Sequence, residues 1–327
     1  MRRYSVLLLM FCTLLLAGLE LCERYWLPHI RIVDWRLQSE RRRAQDIRQM
    51  PGRPSPILIV GNSLLKEGLN VYRLRNKLRP EYTVVRYVVE DTNYLDWYYG
   101  LQRLFRDGAR PKAVILVLNA RQLTAQGVHG DPFARLLMDP RDILEVKRTI
   151  ALDNTVTSNM LFASFSQFYG LRTEIHKWFL LDLIPDFPDL ADRLRPAPAP
   201  LPSDEEINKE ATERLAEIAR LCSRYNAQFG LVVPPSTAPR DGSAAVQSAA
   251  NRIGVQVFIP FQPQQLSPDL YSDGFHLNDK GAGIFTDALV PGLRQFLDSS
   301  SVQASDGSLL THGPGLALSA AETEREK

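Results

Sequence analysis

Five short apolar runs, separated by stretches of helical period, constrain this chain more than any other feature. They fall at 57–60, 83–89, 113–118, 229–233 and 255–259. The third, Ala-Val-Ile-Leu-Val-Leu, is apolar at every position, as expected of a strand covered on both faces. Helical patterns lie between the runs, at 71–78, 94–105, 205–225 and 244–253, and a last one covers about 280–297. Strands alternating with helices imply a parallel sheet with right-handed crossovers.

The expected architecture is α/β: a three-layer α/β/α, doubly wound, flavodoxin-like parallel sheet over 55–298. The link between the third and fourth runs, about 120–204, is unusually long. It holds a Gly-rich loop at 127–132, then Met160, Leu161, Phe162, Phe165, Phe168, Tyr169, Trp178 and Phe179, which read as one apolar helix. That helix is expected to cap the core. A lid, or a surface for a membrane or partner, is the functional alternative. A proline-rich linker covers 185–202, and the small, polar segment 299–327 is expected to be a disordered tail.

The N-terminus sets the compartment. Arg2 and Arg3 precede an apolar run from Tyr4 to Leu19, with Leu21, Tyr25 and Trp26 able to complete a span. Leu16-Ala17-Gly18 is a poor cleavage site because Glu20 and bulky residues follow. Residues 1–22 are therefore expected to be an uncleaved signal anchor, with the domain periplasmic or extracellular. Arg24, Arg31, Arg36 and Arg41-Arg42-Arg43 oppose that orientation by the positive-inside rule. Residues 23–54 are read as a juxtamembrane segment whose basic run is a solvated face.

A net charge of +2 gives no global argument for nucleic acid, and none is expected as a partner. Cys12 and Cys22 lie in or beside the apolar leader and Cys222 stands alone, so the body has no disulfide framework or cysteine-based zinc site. Cys222 reads as a core residue. His129, His176 and His312 lack metal-ligand spacing; no metal and no cofactor is expected.

Chemistry-bearing residues sit where the strands end. The first run closes with Gly61, and a helical pattern starts two residues later, which places Ser63 at a strand-to-helix turn. There it is either a helix cap or a nucleophile near the positive end of a helix. After the fifth run, Asp273 and His276 are three apart just before the last helix. On one turn, the carboxylate can fix the imidazole tautomer and leave the other ring nitrogen to take a serine proton. Ser63, Asn119 after the third run, and Asp273/His276 would share the carboxyl edge of the sheet, where ligands bind in such folds.

Gly61-Asn62-Ser63-Leu64 resembles the Gly-Asp-Ser-Leu block of the SGNH (GDSL) hydrolases, with Asn for Asp, and Asp273-Gly274-Phe275-His276 resembles that family's Asp-x-x-His block. The resemblance implies Ser63 as nucleophile, His276 as base and Asp273 as its orienter. The family's second-block glycine, an oxyanion donor, is missing: the region reads Glu90-Asp91-Thr92-Asn93, so an N–H of Asp91 or Thr92 would replace it. The third block, Gly-x-Asn-Asp, survives only as Asn119, whose amide would join the Ser63 N–H at the oxyanion.

The resemblance implies a membrane-anchored serine esterase or O-acyltransferase acting on ester-linked acyl groups, with a cell-surface glycan as substrate. The alternative is a catalytically inactive SGNH-fold assembly or glycan-binding protein whose oxyanion blocks have decayed. A further alternative is a partner-dependent transferase that docks through the apolar helix at 162–179 onto a membrane acyl-transfer protein.

Overall fold

The computed structural model describes residues 2–26, 28–172, 175, 176, 180, 184 and 200–306. Five strands form one all-parallel sheet: β1 Ser55–Gly61, β2 Tyr82–Val88, β3 Ala113–Val117, β4 Gln228–Val232 and β5 Gln256–Phe258, in the order β2-β1-β3-β4-β5. The chain steps outward from β1 to β2, then crosses back past β1 to β3 and continues outward on the other side. Strand order therefore reverses between β1 and β3, and a crevice opens at their carboxyl ends.

The helices in chain order are α1 Arg2–Trp26, α2 Pro28–Gln45, α3 Ser63–Gly68, α4 Val71–Leu78, α5 Tyr94–Arg106, α6 Ala120–Thr124, α7 Asp131–Leu136, α8 Pro140–Thr149, α9 Asn154–Phe165, α10 Gln167–Gly170, α11 Asp204–Ser223, α12 Ser243–Ile253 and α13 Asp279–Asp306. Alternate strand residues enter opposite cores. Leu58, Val60, Val114 and Leu116 pack with Trp97, Leu215, Ile218 and Val246 from α5, α11 and α12. Ile57, Ile59 and Ile115 pack with Leu74, Leu78, Phe285, Leu289 and Leu293 from α4 and α13. A two-residue side-chain period with both faces covered explains why these strands read as continuous apolar runs.

Three expectations change. The first concerns the segment read as a solvated juxtamembrane helix. α2 lies along β2, and Leu37 and Ala44 from α2, with Ile47 just after it, are buried in the main core. Glu40 accepts a hydrogen bond from the Val88 N–H at 2.9 Å and pairs with Arg86 at 2.6 Å. One carboxylate thus satisfies a main-chain donor on the open edge of β2, a place where an unpaired strand invites association. The packed unit begins before residue 55, at Leu37 or earlier. Second, the apolar cap helix is broken at Ser166. The Ser166 N–H closes α9 on the Phe162 carbonyl at 2.9 Å, and its hydroxyl opens α10 by accepting from the Tyr169 N–H at 3.0 Å. Trp178, Phe179 and the linker from 185 to 199 lie outside the described residues. Third, α13 continues to Asp306, so 299–306 are helical; 307–327 lie outside the described residues.

Within α1, Arg3–Leu21 is long and apolar enough to cross a membrane. Its 19 residues reach about 28 Å at 1.5 Å per residue, close to the thickness of a bilayer's hydrocarbon.

Candidate active site

β1 delivers Ser63 to the crevice. Gly61 pairs in register with Val117, so Ser63 and Asn119 each follow the paired position by two residues on adjacent strands. Gly61 is needed there: a Cβ would lie 2.7 Å from the Val117 carbonyl oxygen. Asn62 is fully buried and caps α3, its Oδ1 accepting from the Leu64 N–H at 3.0 Å. Its Nδ2 donates to the Thr92 carbonyl at 2.7 Å. The Thr92 hydroxyl in turn donates to the Val89 carbonyl at 2.6 Å and accepts from Trp97 Nε1 at 2.9 Å. These bonds lock the turn carrying Ser63 to the loop after β2.

Asn62 therefore both accepts and donates from one buried side chain. A carboxylate could accept from Leu64 but could not donate to Thr92. We expect Asn62→Asp to destabilise the fold by about 2–3 kcal/mol at neutral pH, because a buried carboxylate would face a carbonyl oxygen. The penalty should shrink in acid, where the protonated acid can donate. Urea midpoints of the two proteins at pH 7 and pH 4.5 test this; an equal gap at both pH values would contradict it.

The loop before α13 supplies the other two groups. An antiparallel bridge between Tyr271 and Leu277 closes it, and the Ser272 N–H donates to the His276 carbonyl at 2.8 Å. Gly274 adopts φ 78°, a left-handed conformation suited to glycine, and its carbonyl accepts from the Thr237 hydroxyl at 2.6 Å. Asp273 Oδ1 accepts from the N–H groups of Phe275 at 2.9 Å and His276 at 2.7 Å, which fixes its carboxylate. Its Oδ2 lies 2.8 Å from His276 Nδ1, and His276 Nε2 lies 3.0 Å from Ser63 Oγ. With Nδ1–H donating to the carboxylate, Nε2 presents its lone pair to the serine hydroxyl.

Partial burial pushes the Asp273 carboxyl up, but the hydrogen bonds from the His276 main chain and ring, and from the Phe275 N–H, outweigh it. The net result holds Asp273 down at about 2, against an ordinary value of 3.8. A depressed carboxyl stabilises the fold above its ordinary value, and that contribution is lost as pH falls from about 4 toward 2. Asp273→Asn should therefore flatten the acid limb of stability in that window. Thermal midpoints at pH 5 and pH 2.5 check it, and an unchanged limb would contradict it.

The expected oxyanion donors are arranged less simply. The Asn119 oxygen caps α6, accepting from the Gln122 N–H at 2.9 Å, while Gln122 Oε1 accepts from the Asn119 N–H at 3.2 Å. Only the Asn119 NH2 group remains for a ligand. The Thr92 side chain is consumed inside the fold. Asp91 is exposed and takes φ 59°, a left-handed conformation uncommon for a residue other than glycine. The Ser63 N–H begins a helix and has no partner within α3.

Beside the serine lies a cleft of 340 Å³, lined among others by Leu64, Asn119, Gln122, Pro234, Thr237 and Phe275. A larger groove of 690 Å³, rich in arginine, lies at the start of β1 and β2, the opposite end of the sheet from Ser63. Sequence reading missed Asn62, Thr237 and Phe275 as parts of the site. Pro234-Pro235 at the end of β4 was the one signal for the cleft wall, since it falls at the same sheet edge. Asp96, also unforeseen, is buried and accepts from the N–H groups of Asn93 at 2.7 Å and His129 at 2.9 Å, tying the Gly-rich loop to α5; burial raises its carboxyl to about 7. His129 thus enters this network through its main chain. His176 is helical and exposed, and Cys222 is buried in the core.

The fold and site define a doubly wound α/β protein with a serine, a histidine and an aspartate in hydrogen-bonded series at its switch point. No protein-family model matches the chain, and no curated protein matches it. Among solved structures it is similar to protein YxiM from Bacillus subtilis, with 10% identity and a TM-score of 0.35, over 75% of this chain and 58% of that one. The chain thus spans less than two thirds of that structure's length.

Proposed function

We propose that this protein is a serine esterase or O-acyltransferase of the SGNH type, anchored by α1 with its domain outside the cytoplasm. The observation that carries this reading is the unbroken series Asp273 Oδ2–His276 Nδ1 at 2.8 Å and His276 Nε2–Ser63 Oγ at 3.0 Å. A weak alcohol nucleophile needs a base within hydrogen-bond reach, and that base needs an orienting group. Ser63 Oγ attacks an ester carbonyl while His276 takes its proton. The tetrahedral oxyanion is met by the Ser63 N–H, the Asn119 NH2 and an N–H from Asp91 or Thr92. Collapse expels the alcohol, which takes the proton from His276, and leaves an acyl group on Ser63. Water then completes hydrolysis, or a sugar hydroxyl completes transfer.

The cleft lining favours a hydroxyl-rich acyl carrier. Asn119, Gln122 and Thr237 offer polar groups beside the flat apolar faces of Pro234 and Phe275. A cell-surface glycan bearing ester-linked acyl groups suits that lining and an extracytoplasmic anchor. The test is turnover of a chromogenic acetate ester with and without a sugar acceptor. Release of acetate supports an esterase; acetylated sugar supports a transferase.

One observation favours a second reading, a glycan-binding protein without catalysis. The exposed Asp91 carboxylate belongs to the loop that would stabilise an oxyanion, and a negative charge there opposes it unless directed away. Folded protein that binds glycan but turns over no ester would support that reading.

A further inference from the structure

α1 and the α9–α10 corner meet at one residue. Glu20 lies in the last turn of the apolar stretch Arg3–Leu21. Its Oε1 accepts from the Ser166 hydroxyl and from the Phe168 N–H, the latter at 3.2 Å. A carboxylate at the end of an apolar span needs such donors, because hydrocarbon offers none. These bonds hold the start of α10 at the level where α1 would leave the bilayer.

The residues just before that contact are large, apolar and uncovered. Phe162 is 62% exposed and Phe165 78% exposed, three apart on the last turn of α9, immediately ahead of Ser166. Arg172 stands 4.0 Å over the Tyr169 ring, and Tyr169 packs against Phe162 with ring centroids 5.9 Å apart. Aromatic rings backed by a basic residue, within a hydrogen bond of the end of a span, match the composition of the membrane interface. Elsewhere in the described body, away from α1, exposed aromatics such as Tyr72 stand singly.

We infer that the corner between α9 and α10 is a second membrane contact, with Phe162 and Phe165 inserted at the lipid headgroup–acyl boundary beside α1. The inference rests on reading α1 as the anchor. The occupant is lipid, because Glu20 fixes the corner's height against the span and leaves these rings no deeper place to go. One point of attachment would let the domain swivel. Two would hold it in a fixed attitude, so that the crevice with Ser63 keeps one orientation to the surface.

Spin labels on the full chain in phosphatidylcholine–phosphatidylglycerol vesicles test this. Cys12 and Cys22 are replaced by serine, and Cys222 is buried, so labels go only to Leu9→Cys, Phe162→Cys, Phe165→Cys and, as an aqueous reference, Tyr72→Cys. We expect the ratio of oxygen to nickel-chelate accessibility at 162 and 165 to exceed that at 72 by several-fold, with the highest ratio at 9. A lipid-like ratio at 9 with an aqueous one at 162 and 165 overturns the second contact and leaves the anchor standing; the exposed rings would then serve a protein partner or a lid. An aqueous ratio at 9 overturns the anchor and the inference together.

Discussion

His276→Ala should lower ester turnover by roughly 10⁴- to 10⁶-fold while leaving the fold intact. The imidazole touches Ser63 on one side and Asp273 on the other, and it is the sole base within reach of the hydroxyl among the described residues. Without it, Ser63 is an ordinary alcohol, far too weakly acidic to attack an ester at neutral pH. Ser63→Ala should lose about as much, since it removes the nucleophile. The informative result is the double variant. If hydroxyl and imidazole act as one unit, losing both costs no more than losing either, and the effects do not add. Turnover should change with little change in KM for a small ester, because neither group is needed to hold the ground state. Losses that multiply in the double variant would mean the two side chains act separately.

Gly61→Ala should have the largest effect on stability. The added methyl would sit 2.7 Å from the Val117 carbonyl oxygen, 3.1 Å from Leu65 Cβ and 3.2 Å from Val117 Cβ. None of these atoms is the free end of a flexible side chain. Val117 belongs to β3, which is held by β1 on one side and β4 on the other. Relief requires parting two central strands or shifting the turn. We expect a loss of about 2–4 kcal/mol, a large share of a typical domain's stability. Whatever folds should also carry Ser63 away from His276. Urea denaturation gives the first effect and ester turnover of the folded fraction the second. A variant as stable as the parent would show that the turn is looser than its contacts indicate.

The sheet was readable because β1, β3 and β4 are buried along almost their whole length, which leaves apolar runs in sequence; β2, at the edge, is interrupted by exposed Thr83 and half-buried Arg86. Helices with one apolar stripe were readable for the same reason, and α4 has the bounds its period implies. Ser63, Asp273 and His276 were readable through short blocks with turn residues at fixed offsets. Asn62 was not, since its role depends on a carbonyl 30 residues away that local periodicity cannot report. The packing of α2 was hidden by Arg41-Arg42-Arg43, which drew attention from Leu37 and Ala44 in the same helix and from Ile47 just after it. Ser166 gave no warning in a run of large apolar residues, because its bond to Glu20 spans 146 positions.

A fluorophosphonate reacts far faster with a serine whose proton is being withdrawn than with an ordinary alcohol, so mapping its adduct asks the central question without requiring the natural substrate. One adduct, located on Ser63 by peptide mass and reduced to background in His276→Ala, is the result predicted here. A well-folded protein that takes no label, or takes it equally with and without the imidazole, would contradict the Ser63–His276–Asp273 relay.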